Sequence, residues 1–315
     1  MAHWKKLLPI FGISVLGLLL YRIGLNNIWT VVRQAHPVYF LVFPLTVSSM
    51  LAVQTWKWLV ILERQKIRVS FKKLYLIQLV SAFYGTITPG RVGSFLKISY
   101  LADLTDYPAG RCSISVVIDK ILDIIVLISF AAVGCIVSLR YFGIGMLVVI
   151  IILATAFVLS LFLLTENSWR NKLFATAIVP AIPERFKPRL QKFACSFYGS
   201  TLSPRNLIFP LSLTFLSWLI SYSQIYLVAV ALSIKVSYIP FIFLIAVGAL
   251  VGLLPLSISG LGTREAALII VLTPWGLSAQ EVMAISLLGI LICSYIPALA
   301  GGGLAVLSRK KYTRD

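Results

Sequence analysis

Thr88-Pro89-Gly90-Arg91-Val92-Gly93 and Leu256-Ser257-Ile258-Ser259-Gly260-Leu261-Gly262-Thr263-Arg264-Glu265 interrupt two otherwise apolar stretches, 74–101 and 241–272. The flanking arms run about 10–14 residues, against the roughly 20 a helix needs to cross a bilayer. Each stretch therefore reads as two half-helices meeting at a break at membrane depth. A break frees backbone amides and carbonyls, which is tolerable only where protein or a wet cavity satisfies them. Each break also carries an arginine, a residue costly in hydrocarbon and usually found along a ligand or ion path. Paired breaks in the two halves of a chain point to a transporter's binding site.

The rest of the chain agrees with a membrane setting. Of 315 residues, 59% are hydrophobic and 12% charged, and the mean hydropathy is +0.96. Apolar runs recur from residue 7 to residue 307, which predicts an all-α, polytopic membrane protein formed as a single integral membrane domain over 1–315. Full spans are expected at 7–20, 38–62, 113–139, 143–164, 207–232 and 281–307, six in all, beside the two broken hairpins. The first run follows Lys5 and Lys6 like a signal peptide, but Tyr21-Arg22-Ile23 ends it without a small-x-small cleavage site, so a retained span is expected. The longest polar stretch, 165–206, mixes apolar residues with Arg and Lys. It reads either as a cytoplasmic amphipathic connector lying on the leaflet or as a linker whose charges only enforce topology.

Charge sets the expected orientation. Five basic residues fall in 64–73, seven in 170–205 and four in 309–314, whereas the alternate loops hold few. The positive-inside rule places the rich set, and both termini, on the cytoplasmic side of the cell membrane. Two full spans separate the first two basic clusters, so 74–101 must contribute an even number of crossings. A re-entrant hairpin meets that condition from the inside, and 241–272 meets it from the outside, which makes an inverted repeat. Parity leaves open whether each is re-entrant or two close crossings. The net charge of +18 suits anionic headgroups, and no nucleic-acid fold accompanies it, so no nucleic-acid partner is expected.

Several side chains are candidates for chemistry. In the first break Pro89, Gly90 and Gly93 permit a tight turn. Arg91 and Ser94 would open a new half-helix whose free amides favour an anion, and Lys97 would extend that polar face toward the rim. The alternative is that Arg91 snorkels or pairs internally. In the second break Gly260 and Gly262 make the turn, and Arg264 and Glu265 open the next arm. Glu265 at a helix start is favoured without any ligand, and adjacent helical positions point about 100° apart, so Arg264 and Glu265 are not expected to pair. Asp119 and Asp123 lie i, i+4 on one face, with Lys120 three residues before Asp123. Two close carboxylates need a cation or proton between them, and Lys120, Arg91 or Arg264 would serve. Such a cluster is either a salt-bridge network holding the breaks or a proton- or cation-coupling site. Lys57, with Gln54 and Trp56, reads as a snorkelling or internally hydrogen-bonded side chain.

Enzymatic chemistry finds little support. His3 and His36 are the only histidines, and Cys112, Cys135, Cys195 and Cys293 form no close pair. No zinc, magnesium or disulfide pattern results. Asp119 and Asp123 are the one acid pair, and nothing completes a reaction centre around them. Neither a cofactor nor a metal is expected, and the chain is not expected to be an enzyme.

Taken together, Thr88–Gly93, Asp119-Lys120-Ile121-Leu122-Asp123, Ser259–Glu265 and the weaker Tyr295-Ile296-Pro297-Ala298-Leu299-Ala300-Gly301 resemble the membrane domain of lysylphosphatidylglycerol synthases over about 7–307. The resemblance implies movement of lipids between leaflets, aminoacylated phosphatidylglycerol in the best-known relatives and polyprenyl-carried glycans in archaeal ones. Aminoacyl transfer in the full-length synthases belongs to a soluble domain, so transport without synthesis is implied here. Three positions depart from the family pattern: Ser94 stands where a glutamate is frequent, Asp119-Lys120 opens the middle motif, and Ile290 or a neighbour replaces an arginine. A lost acid and a lost base together suggest a rearranged internal pair. The expected activity is flippase-like transport of an anionic or polyprenyl-linked lipid headgroup. The alternative is a scaffold presenting lipid to a cell-envelope glycosyltransferase or synthase partner.

Overall fold

A computed structural model of the chain describes residues 4–88, 91–105, 107–143, 145, 148–149, 151–152, 154–155, 204–253, 257 and 260–312. Their regular secondary structure is all helical, with no strand among the described residues. Helix α1 (Trp4–Ile23) meets α2 (Leu25–Arg33) at a 75° bend. Gly24 sits at the corner with φ +85°, a left-handed conformation in which any Cβ is strained. Helix α3 (Val38–Arg64) follows, then the first broken unit: α4 (Phe71–Ile87), a 3₁₀ turn at Val92–Leu96 and α5 (Lys97–Leu104). Helix α6 (Ala109–Phe142) closes this half. The second half has α7 (Ile208–Ala231), α8 (Tyr238–Leu253), α9 (Thr263–Leu272), α10 (Ala279–Ile290), a π turn at Leu291–Tyr295 and α11 (Ile296–Tyr312).

Among the described residues four helices are long and apolar enough to cross a membrane: Leu41–Arg64, Ala109–Phe142, Arg205–Ala231 and Ala279–Ala305; the bent α1–α2 pair would make a fifth. These correspond to five of the six expected spans. The sixth, 143–164, lies for the most part outside the described residues, and Pro89, Gly90 and the connector 165–206 apart from its last three positions lie outside them too. The arms of the broken units stay short. At about 1.5 Å per residue, the 17 residues of α4 and the 10 of α9 each fall below the ~30 Å of a hydrocarbon core.

The two halves repeat one another. Lys66 and Ser233 are non-glycine residues with left-handed φ, +61° and +59°, and both end a long helix in the same way. Ile67 N–H donates to Leu62 O at 2.9 Å, and Ile234 N–H donates to Ala229 O at 3.0 Å. In sequence the match reads Ile67-Arg68-Val69-Ser70-Phe71 against Ile234-Lys235-Val236-Ser237-Tyr238. The separation of 167 positions carries on through Gly85 and Gly252, Gly93 and Gly260, Lys97 and Arg264, and Gly134 and Gly301. Packing follows the same exchange: α6 lies along α8, α11 lies along α4, and α3 lies along α7.

Glycines make those crossings close. A Cβ on Gly134 would strike the backbone carbonyl of Phe243 on α8, and one on Gly301 would strike the carbonyl of Leu79 on α4. Small residues at such crossings let two backbones approach, which is how membrane helices gain dispersion contact without a hydrophobic driving force. Gly301→Leu is therefore expected to push α11 off α4. The loss should be about 1–3 kcal/mol or more, in line with overpacked cores, read as a lowered unfolding temperature of the purified protein. The apolar core is fullest where α6, α7 and α8 meet. There Phe130 lies 5.3 Å from both the Tyr222 and the Phe243 rings, centroid to centroid.

Candidate functional site

The middle of the first half is a buried charge cluster. Lys57 on α3 contacts Asp119 Oδ1 at 2.6 Å and Asp123 Oδ1 at 2.7 Å. Lys97, at the start of α5, contacts Asp119 Oδ2 at 2.6 Å. Lys120 reaches Asp123 Oδ2 at 3.3 Å. The side chains of Lys57, Lys97 and Asp119 are at most 3% exposed. Taking charges out of water costs several kcal/mol per ion, so such a cluster persists only with every charge answered. Trp58 completes the surround: its indole N–H donates to Ser115 Oγ at 3.1 Å, and its ring lies 4.7 Å from Lys97 Nζ.

Two expectations change here. Lys97 does not sit at the rim; it is 1% exposed and held by Asp119. Asp119 is neutralised by Lys57 and Lys97, neither of which was among the expected counter-ions, while Lys120 does pair with Asp123 as expected. Lys57, offered by the sequence only as a snorkelling or internally hydrogen-bonded side chain, is the member whose partners were not expected. It stands two turns before the end of α3, within snorkelling reach of an interface, so its position alone does not separate a surface lysine from a bridging one.

The first break is stitched by hydroxyls. Thr88 Oγ accepts the Gly93 N–H at 2.7 Å and donates to Tyr84 O at 2.8 Å. Ser81 Oγ donates to the carbonyl of Ser94 at 2.9 Å. A Cβ at Gly93 would collide with the Tyr84 carbonyl, and the Cβ of Ser94 sits against Gly85. Ser94 is therefore part of the packing of the turn. Arg91 occupies a left-handed conformation, φ +56° and ψ +26°, which costs a non-glycine residue about 1 kcal/mol or more. Beyond it the chain winds as a 3₁₀ turn, and the α-helix begins only at Lys97, later than the half-helix start expected at Arg91 and Ser94.

In the second break Glu265 caps its own helix. Its Oε2 accepts the Gly262 N–H at 2.6 Å and its Oε1 accepts Ser286 Oγ at 2.7 Å. Arg264 Nη2 donates to Ser286 Oγ at 2.6 Å and to Ser286 O at 3.0 Å. It also lies 3.2 Å from Glu265 Oε1. Arg264 and Glu265 were not expected to pair, and they do, because both side chains bend toward Ser286 on α10. Gly260 and Gly262 have φ of +79° and +85°, and the Cβ of an alanine at 260 would run into Gly252.

The breaks converge. Arg91 lies within electrostatic range of Arg264, Asp123 and Tyr295, and Tyr295 and Cys293 lie within the same range of Arg264. Both belong to the π turn, where Pro297 has no N–H to offer the carbonyl one turn earlier; such turns recur at functional positions. The Arg91 side chain is exposed. Among the described residues its side chain makes no hydrogen bond or ion pair. Counting Lys57, Lys97, Lys120, Arg91 and Arg264 against Asp119, Asp123 and Glu265, the region holds five cations and three carboxylates, a surplus of two positive charges. The donor set is basic and hydroxylic, without the grouped His, Cys or acidic ligands that hold a metal among the described residues.

Fold and site together define a multi-pass α-helical membrane protein with a helical stretch interrupted in each half. The family model for the lysylphosphatidylglycerol synthase transmembrane region matches residues 7–301, and the chain belongs to that family. Similar proteins include a UPF0104 membrane protein of Methanothermobacter thermautotrophicus, 21% identical over 96% of this chain and 94% of the relative. One of Pyrococcus horikoshii is 20% identical over 97% and 98%, and one of Methanocaldococcus jannaschii is 23% identical over 94% and 92%.

Proposed function

We propose that the chain passes an anionic lipid headgroup, phospholipid or polyprenyl-phosphate in type, between the leaflets of the cytoplasmic membrane, without catalysing a reaction. The observation that carries this reading is the approach of Arg91 to Arg264 from two different breaks, in a region with surplus positive charge. Two like charges repel, and an anion between them removes that cost. Acyl chains stay in lipid while the polar head crosses between the breaks. Broken arms entering from opposite sides, as the loop charges and the repeated halves support, would give two equivalent half-paths. The closed charge cluster of Lys57, Lys97, Lys120, Asp119 and Asp123 then holds the first hairpin in place.

Purified chain in phosphatidylcholine vesicles, doped on one leaflet with labelled phosphatidic acid or labelled polyprenyl phosphate, should equilibrate the label across the bilayer faster than protein-free vesicles. Rates equal to those of empty vesicles for both labels would overturn the transport reading. Retention of bound lipid in that case, together with co-purification of a cell-envelope enzyme, would favour a scaffold that presents lipid to that partner.

A further inference from the structure

The repeat makes the two halves comparable residue by residue. At the separation of 167 positions that relates Lys66 to Ser233 and Lys97 to Arg264, Lys57 corresponds to Gln224 and Asp119 to Ser286. In the first half the carboxylate of Asp119 lies between two cations, Lys57 and Lys97, each at 2.6 Å. The second half keeps the cation of the arm and its contact to the following helix, since Arg264 donates to Ser286 Oγ at 2.6 Å. It has no carboxylate at the Asp119 position, and its Lys57 equivalent is a neutral amide.

In the two second-half residues that correspond to Lys57 and Lys97, three buried polar atoms have no partner among the described residues: Gln224 Nε2, Gln224 Oε1 and Arg264 Nε. Gln224 is 1% exposed. Buried polar groups without partners are costly, and a native chain seldom leaves them so without a reason. Helices α7 and α10, which carry Gln224 and Ser286, pack against each other, α9 packs on α10, and Ile225 stands against Gly289, one turn beyond Ser286.

We propose that Gln224, Arg264 and Ser286 form an oxyanion seat, in which an oxygen of a bound phosphate or phosphate ester takes the place that Asp119 occupies in the first half. Arg264 Nε and the Gln224 amide N–H donate to that oxygen. Gln224 Oε1 accepts from a hydroxyl or ammonium on the same ligand, so the seat favours a phosphate ester that also carries a donor group. Glu265 holds Arg264 directly at 3.2 Å and through Ser286. The seat deepens the transport reading and rests on it for the ligand's route, but its existence as a binding site is tested separately.

The test uses the full chain in detergent and in vesicles, with two probes, inorganic phosphate and phosphatidic acid in phosphatidylcholine vesicles. Gln224→Leu is expected to keep or raise the unfolding temperature, because it removes a buried unpaired amide, while affinity for phosphatidic acid falls about tenfold or more, the worth of one charge-assisted hydrogen bond. Ser286→Asp sets a second carboxylate beside Glu265 and Arg264, so it should weaken the same binding, with folding checked by the unfolding temperature. Inorganic phosphate binding that depends on Gln224 would identify a free anion as a second source, and binding of phosphatidic acid alone would identify the headgroup; either supports the seat. Unchanged phosphatidic acid affinity in both variants would overturn it. If wild-type chain fails to exchange lipid but binds it through Gln224, the transport reading falls and the seat stands. If exchange and binding are normal in Gln224→Leu, the seat falls and the transport reading stands.

Discussion

Asp119→Ala is expected to cost about 3–5 kcal/mol of stability, the typical loss when one partner of a buried ion pair is removed. The reason lies in what is left behind. Lys57 and Lys97 approach the carboxylate from two helices, both within 2.6 Å and both almost fully buried. Without Asp119, Lys97 has no carboxylate within ion-pair distance among the described residues, and Lys57 keeps only Asp123, which it shares with Lys120. The loss should appear as a large drop in unfolding temperature. Replacing all three residues together, Lys57→Met, Lys97→Met and Asp119→Leu, should recover most of that drop, because burying well-packed apolar groups avoids the desolvation cost. A triple variant as unstable as Asp119→Ala would show that the cluster does more than balance its own charge.

Arg91→Ala should behave in the opposite way. Its side chain makes no hydrogen bond among the described residues, and its backbone is held in a left-handed turn by the Thr88 and Ser94 amide contacts, Arg91 N–H to Thr88 O at 3.2 Å and Ser94 N–H to Arg91 O at 3.0 Å. Stability should therefore change by less than about 1 kcal/mol. Exchange of labelled phosphatidic acid should fall about 10- to 100-fold, since hydrogen bonds to charged groups are worth about 1.5–3 kcal/mol. Arg91→Lys keeps the charge but loses the planar fork, so it should restore part of the rate. A variant that unfolds would mean that Arg91 is structural, and one that exchanges lipid at the wild-type rate would remove Arg91 from the path.

The positions of the breaks were legible because their punctuation is strong. Glycine, proline and arginine inside apolar sequence have few explanations other than a turn that must stay wet or packed. The partners of the charges were less legible, since they depend on which helices lie side by side. Asp119 was recognisable as needing a cation, but Lys57 is 62 positions away in sequence and reaches it only through the packing of α3 on α6. Arg264 and Glu265 misled for a different reason. The 100° between neighbouring helical positions applies to the Cα–Cβ bonds, and side chains this long can bend past it to share Ser286. The repeat itself was present in the sequence as Ile67-Arg68-Val69-Ser70-Phe71 and Ile234-Lys235-Val236-Ser237-Tyr238. Five-residue matches among apolar runs stand out only once both segments are seen to follow the same left-handed helix ending.

Arg91→Cys and Arg264→Cys, introduced singly and together after Cys112, Cys135, Cys195 and Cys293 are replaced by alanine, report directly on whether the two breaks share one wet crevice. In reconstituted vesicles both single cysteines should react with a charged, water-soluble thiol reagent, and a short bifunctional reagent should join the pair. Thiols that react only with a membrane-soluble maleimide, or a pair that no short reagent bridges, would place the two arginines in lipid or apart and contradict the reading.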